Sequence, residues 1–285
     1  MVHQPYRLGL IGHPVKQSIS PVLHNTAMAE LGLLGRYEAV DVLPGRLADW
    51  IGAMALTGYA GVNVTIPHKE AALPLMTEVS AGAAAIGAVN TIIVTENGLR
   101  GENTDHTGFL APLRPVLLRR PVRSALILGA GGAARSVLYA LSGIADFEQI
   151  RICTRSEKRG EALIDSTAFR GVNVSTTAWD RRHAAASSVD LIVNTTPVGM
   201  WPNPSLSPLF GASFSSEQIV YDLIYNPRTT RLLQDAGEAG AVCLRGLPML
   251  IGQAAAAFQL WTGQAMPLAK VTQAAEKALS PDTPS

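Results

Sequence analysis

The chain has 285 residues, a formal net charge of +1, 47% hydrophobic residues and 16% charged residues. This composition is typical of a globular protein and excludes a disordered one, and the near-neutral charge argues against a nucleic-acid or membrane-surface partner. No apolar run reaches the length of a membrane span, and the first residues do not form a signal peptide. Two isolated cysteines, Cys153 and Cys243, predict no metal site and fit the reducing cytoplasm.

The first hundred residues alternate strand and helix patterns, which favours a mainly parallel α/β sheet. Strands are expected at 6–12, 37–42 and 61–66, helices at 20–34 and 46–56, and a hairpin at 88–94 and 99–105. In the strand at 61–66, Val62, Val64 and Ile66 alternate with Asn63 and Thr65. This alternation predicts a half-buried strand that ends at Pro67.

A second series of strands begins near Arg123. After the strand at its start, further strands are expected at 149–155, 172–178, 189–195, 219–225 and 241–246. The chain then turns helical, and we expect these last helices to pack on the first domain. The predicted segments are therefore 1–105, 106–245 and 246–285, with the Pro/Arg-rich stretch 112–123 as an alternative boundary.

A glycine turn separates the first strand of this series from a helix. Its pattern, Gly129-x-Gly131-x-x-Ala134, is that of a dinucleotide-binding turn, in which the backbone and the helix N-terminus approach a pyrophosphate. A purely structural glycine turn is the alternative. Strand, turn, helix and further strands together predict a Rossmann domain.

The end of the next strand indicates which dinucleotide binds. Thr154, Arg155 and Ser156 stand there, and no acidic residue that would hold a ribose 2′-hydroxyl does. A guanidinium can bind a 2′-phosphate bidentately, and Arg159 lies one helical turn further on. These residues predict NADP, with a solvated basic helix start as the alternative.

Several polar residues outside this domain are candidates for a second ligand. Ser18 and Ser20 lie two apart before Pro21 and suit a carboxylate, although Ser20 also fits a helix N-cap. Asp105 fits a helix cap as well as a site, and Gln253, on a face shared with Met249, Ala257 and Leu260, fits a helix contact as well as a ligand. Lys69 by itself fits a surface charge or a catalytic ammonium.

These residues belong to segments whose order resembles the shikimate dehydrogenase family: SISP, NVTIPHK, GAVNT, NTD, GAGGAAR, NTTPVGM, YDLIYNP and GLPMLIGQAAAAFQLW. The resemblance runs from residue 6 to about residue 265. It implies a reversible NADP-linked conversion of 3-dehydroshikimate to shikimate, in the biosynthesis of chorismate and aromatic amino acids. It also implies a discontinuous substrate domain, formed by the first and last segments, beside a Rossmann NADP-binding domain.

Carried over by motif, the resemblance assigns a role to each candidate. The catalytic pair would be Lys69 and Asp105, and the substrate would be bound by Ser18, Ser20, Thr65, Asn90, Tyr225 and Gln253. The cofactor would be bound by Gly129, Ala130, Gly131, Gly132, Ala133, Thr154, Arg155, Ser156, Arg159, Thr195, Gly246 and Met249. No metal is expected, and a homodimer is left open.

The chain departs from the family pattern at a few positions. Thr154 and Ser156 replace a frequent Asn and Thr, and His106 and Pro248 each stand where Gly is common. We expect Pro248 to precede the helix, where proline is tolerated. Three alternatives to the main interpretation remain: a quinate/shikimate dehydrogenase of relaxed cofactor use, a non-catalytic NADP-binding regulator, and a methylenetetrahydrofolate dehydrogenase-like enzyme.

Overall fold

The computed structural model describes residues 5–144, 146–165 and 172–279. The chain divides into two compact units, one formed by 1–104 with 251–285 and one by 105–250. The sequence analysis expects these boundaries after residues 105 and 245. Residues 1–4 and 280–285 of the expected outer segments lie outside the described residues.

The first unit is built on a six-stranded mixed sheet with the order β2-β1-β3-β5-β6-β4. Its strands are β1 Tyr6–Gly12, β2 Gly35–Asp41, β3 Gly61–Val64, β4 Glu78–Val79, β5 Thr91–Thr95 and β6 Gly98–Glu102. Its helices are α1 Ser20–Glu30, α2 Leu47–Met54, α3 Lys69–Ala72, α4 Ala81–Ile86 and α11 Leu268–Ala278, with 3-10 turns at Pro44–Arg46 and Leu73–Leu75. The pairs β1/β2, β1/β3 and β4/β6 are parallel, and β5 runs antiparallel to both neighbours.

Strand β3 corrects the half-buried strand predicted from its alternation. Every residue of β3 is buried, Asn63 included, whereas Ile66 lies beyond the strand and is 73% exposed. The reason is position: β3 lies between β1 and β5 in the sheet, Val62 and Val64 pack in an apolar cluster, and Asn63 contacts the buried Tyr37. Its polar residue therefore requires a buried hydrogen-bond partner.

The second unit is built on a six-stranded, wholly parallel sheet. Its strands are β7 Ser124–Leu128, β8 Gln149–Thr154, β9 Asn173–Ala178, β10 Leu191–Asn194, β11 Ile219–Asp222 and β12 Val242–Leu244. Its helices are α5 Asp105–Leu117, α6 Gly132–Ser142, α7 Glu157–Asp165, α8 Arg182–Ala186 and α9 Arg231–Glu238, with a 3-10 turn at Trp179–Arg181. The order β12-β11-β10-β7-β8-β9 is the Rossmann order, with the strand order reversing beside β7.

The Pro/Arg-rich stretch is not a domain boundary. Helix α5 continues through Pro112 and Pro115, although each proline removes an intrahelical hydrogen bond. Its inner residues Phe109 and Leu113 are fully buried in the core of the second unit, and the Phe109 ring stacks on Tyr221 at 5.0 Å. Core packing therefore holds the helix through both prolines.

Helix α10 (Gly246–Thr262) begins earlier than expected, since Pro248 lies within its first turn. That turn has N–H groups without an intrahelical partner, so proline costs little there. Leu260, predicted on the apolar face, is 40% exposed, whereas Gln253 and Ala257 are buried. Among the described residues, none of the helices is long and apolar enough to cross a membrane.

Candidate functional site

The glycine turn of the second unit has the geometry of a dinucleotide-binding turn. Gly129 has φ +114°, and a side chain added there would meet the Thr195 hydroxyl at 2.5 Å. Gly131 is the N-cap of α6 and has no side chain that could cap the first N–H groups of the helix, which have no intrahelical partner. Ala134 is fully buried at the contact between helix and strand, as predicted.

The space in front of this turn suits a pyrophosphate. A Cβ added to Gly131 would meet no heavy atom within 4 Å among the described residues. The N-terminus of α6, whose dipole end stabilises phosphate oxygens, therefore begins beside open space. The turn fits the cofactor that the sequence predicts.

The end of β8 offers basic side chains next to this turn. Arg155 and Arg159 are exposed, and a cavity of about 600 Å³ opens beside Arg155. The cavity wall also contains Trp179, Arg182 and the carboxylates of Glu157 and Asp180, so it holds both signs of charge. The lining includes neither Arg159 nor a residue of the glycine turn.

Two hydroxyls in this region accept main-chain hydrogen bonds that the sequence did not indicate. Ser156 N–H donates to Thr154 Oγ1 at 3.2 Å, and Arg159 N–H donates to Ser156 Oγ at 3.4 Å. Thr154 and Ser156 thereby help to start α7. A hydroxyl oxygen that accepts such a bond can still donate to a phosphate oxygen, so both residues fit the predicted site.

The first unit brings the two candidate serines together. The Ser18 hydroxyl donates to Ser20 Oγ at 3.1 Å, and Ser20 N–H donates to Ser18 Oγ at 3.2 Å. Ser20 is not the helix N-cap that the sequence allowed, because Ile19 is the cap and α1 begins at Ser20. It is Ser18 that satisfies a main-chain N–H at this helix start.

A buried polar network lies at the ends of β3 and β5. The Tyr37 hydroxyl donates to Asn63 Oδ1 at 2.7 Å, and Asn63 Nδ2 donates to Thr91 Oγ1 at 3.0 Å. Burial raises the pKa of Tyr37 well above its ordinary value, an effect that the neighbouring Ser20 hydroxyl partly offsets. The network therefore extends from the serine pair toward Asn90.

Asn90 is the next member of this network. Its Oδ1 accepts from Thr104 N–H at 2.7 Å and from the Thr91 hydroxyl at 2.9 Å, and its Nδ2 donates to Thr104 Oγ1 at 3.0 Å. Asn90 is 2% exposed. Tyr37, Asn63 and Thr91 were not predicted as network members. The sequence pattern hardly indicates that these three residues are buried and bonded, because polar residues of a strand are ordinarily assigned to its exposed face.

The two predicted catalytic residues each begin a helix. Lys69 is the first residue of α3 in the first unit, and its carbonyl accepts from Val89 N–H at 2.8 Å. Asp105 is the first residue of α5 and of the second unit, and it is 6% exposed. Their role as a pair stays a prediction.

The other predicted binding residues are distributed over both units. Thr65 follows β3, with its N–H donating to Ile11 O at 2.8 Å, and Gln253 lies on the part of α10 that belongs to the first unit. Tyr225 follows β11, and Gly246 and Met249 begin α10 within the second unit. Gly246 has no room for a side chain, because an added Cβ would collide with the Leu223 carbonyl.

A parallel sheet in Rossmann order, with a glycine turn after its first strand, defines a dinucleotide-binding unit. The other α/β unit, formed by 1–104 with 251–285, carries a cluster of buried amides and hydroxyls. The chain is therefore, by class, a two-unit α/β protein with a dinucleotide-binding fold.

Comparison with known proteins identifies the family within this class. Residues 10–92 match the shikimate dehydrogenase substrate binding domain, and residues 246–276 match the shikimate 5'-dehydrogenase C-terminal domain. A shikimate dehydrogenase (NADP(+)) from Methanopyrus kandleri is 43% identical over 273 residues, which cover 94% of this chain and 93% of that protein. The chain belongs to the shikimate dehydrogenase family.

Solved structures agree with this assignment. Shikimate 5-dehydrogenase from Thermus thermophilus, in complex with NADP(H) and shikimate, superposes with a TM-score of 0.84 at 39% identity, covering 96% of this chain and 100% of that one. Quinate dehydrogenase from Corynebacterium glutamicum, in complex with NAD, gives 0.88 at 29% identity, covering 96% and 100%. The predicted family and the predicted α/β fold with a Rossmann unit are confirmed.

Proposed function

We propose that the chain is an NADP-dependent oxidoreductase that reversibly reduces 3-dehydroshikimate to shikimate. One observation carries this proposal. This chain, a member of the family, combines a glycine turn that suits a pyrophosphate with a buried cluster of amides and hydroxyls. The first suits a dinucleotide and the second a polyhydroxylated acid. The relative from Methanopyrus kandleri and the Thermus thermophilus complex both support NADP and shikimate as the ligands.

In this proposal the first unit binds the substrate with side chains. Ser18 and Ser20 bind the carboxylate through hydroxyls that already lie 3.1 Å apart. Thr65, Asn90, Tyr225 and Gln253 bind the ring hydroxyls or the carboxylate. The network behind Asn90 fixes its amide, so little rotamer entropy is lost when a ligand binds.

The second unit binds NADP in this proposal. Gly129, Ala130, Gly131, Gly132 and Ala133 surround the pyrophosphate with main-chain N–H groups. Arg155 and Arg159, with Thr154 and Ser156, bind the 2′-phosphate, whereas Thr195, Gly246 and Met249 lie at the nicotinamide half. The bound nicotinamide supplies or accepts the hydride.

The proton of the reaction comes from this chain's own residues. Reduction of the ketone places negative charge on its oxygen, and the Lys69 ammonium stabilises that charge and delivers a proton. Asp105 orients Lys69 and the substrate hydroxyl. In the direction of oxidation, Lys69 must first lose its proton, so it then acts as the base.

We further propose that the protein acts in the cytoplasm, in chorismate and aromatic amino acid biosynthesis. Both cysteines are free, and Cys153 is buried, which fits a reducing compartment. A homodimer is a compatible assembly, which light scattering would test.

The experiment that tests this function follows NADPH or NADH formation by absorbance. Shikimate and quinate are each supplied with NADP and with NAD, for the wild type, Lys69→Met and Lys270→Met. Lys270 is an exposed lysine of α11 in the same unit and serves as the matched control. We expect the wild type and Lys270→Met to turn over shikimate with NADP. Turnover by Lys69→Met should be about 10²–10⁴-fold slower, which is the range expected when a general acid is lost.

Other outcomes would overturn parts of the proposal. Preferred turnover of quinate with NAD would place the chain with the quinate enzymes. Bound NADP without turnover of either acid would indicate a regulator. Equal activity of Lys69→Met and Lys270→Met would remove Lys69 from the chemistry.

A further inference from the structure

We propose that Asp222 is a positioning residue that holds together the loops at the carboxyl ends of β10 and β11, and through them the nicotinamide half of the site. This inference rests on the proposed function, since it concerns the loops that contain Thr195, Tyr225 and Gly246. Asp222 is fully buried and is the last residue of β11.

The carboxylate of Asp222 accepts three hydrogen bonds from three separate segments. Asn194 Nδ2 donates to Oδ1 at 3.0 Å, Ile224 N–H donates to Oδ1 at 3.1 Å, and the Thr230 hydroxyl donates to Oδ2 at 2.7 Å. Both oxygens are thus used, and the end of β10, the loop after β11 and the start of α9 meet at one side chain.

Asn194 connects Asp222 to the loop after β10 by hydrogen bonds. Its Oδ1 accepts from Thr196 N–H at 3.0 Å and from the Thr196 hydroxyl at 2.7 Å. An N–H can only donate, so the amide oxygen must face Thr196 and the amide nitrogen must face Asp222. The carboxylate therefore fixes the orientation of the amide, and the amide fixes the backbone at Thr196.

The loop held in this way forms one side of the glycine turn. Thr195, between Asn194 and Thr196, donates its hydroxyl to Leu128 O at 2.7 Å and lies against Gly129. A shift of this loop would therefore displace the turn that faces the pyrophosphate.

The loop after β11 is bound to the same point. Ile224 is held by Asp222, Tyr225 follows it directly, and Trp201 N–H donates to Asn226 O at 3.1 Å, which joins the two loops again. The start of α10 packs against this loop, because Gly246 leaves no space before the carbonyls of Leu223 and Ile224. Three proposed ligand-binding positions thus share one support.

Burial raises the pKa of Asp222 to about 6, and the bonds from Thr230, Ile224 and Asn194 partly oppose this rise. A buried carboxyl group is costly, and a hydrophobic residue of similar size would avoid that cost. A hydrophobic residue, however, has no acceptor, whereas the two carboxylate oxygens of Asp222 accept hydrogen bonds from three segments and join them.

The test compares Asp222→Ala with Asp222→Asn and with a control at the opposite end of the sheet. Asp190 also accepts three hydrogen bonds, from Arg123 N–H, Ser124 N–H and the Ser124 hydroxyl at 2.8–2.9 Å. It directly precedes β10, at the opposite end of this four-residue strand from Asn194. Asp190→Ala therefore removes a comparable set of bonds without touching them.

NADP affinity is measured by calorimetry, and the shikimate reaction is measured at a temperature where melting curves show each variant to be folded. We expect Asp222→Ala to weaken NADP binding and to lower kcat/KM by about 100-fold, the scale of an ångström-sized misplacement. Asp222→Asn should recover most of this loss, because its amide oxygen can accept from Asn194 and Ile224 while its nitrogen donates to Thr230 Oγ1. Asp190→Ala should stay within about 2-fold of the wild type, as expected for additive, distant sites.

If Asp222→Ala does not fold, Asn194→Ala breaks the next link of the same chain and takes its place in the comparison. Kinetic losses that are equal in the Asp222 and Asp190 variants, or that simply follow their melting temperatures, would overturn the proposal. Failure of Asp222→Asn to recover NADP affinity would do so too. A wild type that does not bind NADP would instead speak against the proposed function.

Discussion

The two units place polar groups at the ends of their strands by different means. In the first unit the groups are side chains: Ser20, Asn63 and Asn90 are all at most 5% exposed and bonded to one another or to their neighbours. In the second unit the turn after β7 offers main-chain N–H groups and consists mostly of glycine. The first unit should therefore suffer most from losing a side chain, and the second from gaining one.

The units also bury titratable groups differently. His24 of α1 is fully buried in the first unit, stacked on Tyr37 at 4.2 Å, and among the described residues neither of its ring nitrogens has a hydrogen-bond partner. Asp222 in the second unit is equally buried but accepts three hydrogen bonds. Burial disfavours the charged form of both groups, which is the protonated form of His24 and the deprotonated form of Asp222, so their responses to acid are opposite.

Asn90→Ala should have the largest effect. Its removal takes away the acceptor of the buried Thr104 N–H and the bonds to the Thr91 and Thr104 hydroxyls, which should lower the free energy of unfolding by about 3 kcal/mol. Asn25→Ala is the control, since Asn25 makes two bonds to the main chain of Tyr37 but is exposed; it should cost about 1 kcal/mol. Urea unfolding measures both, and equal losses would contradict the importance of burial in this network.

Gly129→Ala should come next. A side chain at φ +114° and against Thr195 costs about 2 kcal/mol in strain and displaces the turn, so NADP affinity should fall by about 30-fold. Gly143, at the other end of α6, has φ −82°, and among the described residues an added Cβ would come no closer than 3.6 Å to a non-neighbouring atom, so Gly143→Ala should leave affinity unchanged. Normal NADP binding by Gly129→Ala would show that the main chain of this turn does not face the cofactor.

Arg155→Asp tests an exception to the comparison, because Arg155, like Asp222, is a side chain on which the second unit is proposed to depend. Loss of a charge-assisted bond to the 2′-phosphate is worth about 2 kcal/mol, so the ratio of kcat/KM for NADP over NAD should fall by about 30-fold. Lys158→Asp makes the same charge change at an exposed position of α7. An unchanged NADP preference in Arg155→Asp would refute the assignment of the 2′-phosphate site.

Acid should change the contributions of the two buried groups to stability in opposite directions. Burial lowers the pKa of His24 to about 3, below its ordinary value of 6.5, so the unfolded chain binds the proton more readily. The stability that His24 contributes is complete above pH 6.5 and is lost toward pH 3, at up to about 1.4 kcal/mol per pH unit. Unfolding measured across this window should show a smaller slope for His24→Phe.

Asp222 should act in the opposite sense. Its pKa is raised from 3.8 to about 6, so the folded chain binds the proton more readily, and its contribution to stability falls as pH rises from 3.8 to 6. Asp222→Asn should therefore steepen the loss of stability on acidification across that window. A wild-type slope that neither variant changes would mean that other groups govern the acid response.

The sequence by itself determined the elements and the cofactor turn. Strands such as β1 and β8, the glycine turn and the helices after residue 246 follow from local periodicity and turn chemistry, which act over a few neighbouring residues. The order of motifs along the chain was enough to indicate the family. The pairing of Ser18 with Ser20 also followed from local spacing.

Only the tertiary structure decided which face of each element is buried and what its polar groups contact. Asn63 points into a buried network because β3 lies between two strands that are distant in sequence, and Ile66 is exposed because it lies beyond the strand. Helix α5 runs through two prolines because Phe109 and Leu113 pack in the core. Asp222 joins three segments separated by up to 36 positions along the chain (230 − 194), and no local pattern encodes a contact whose partners are brought together only by the assembled sheet.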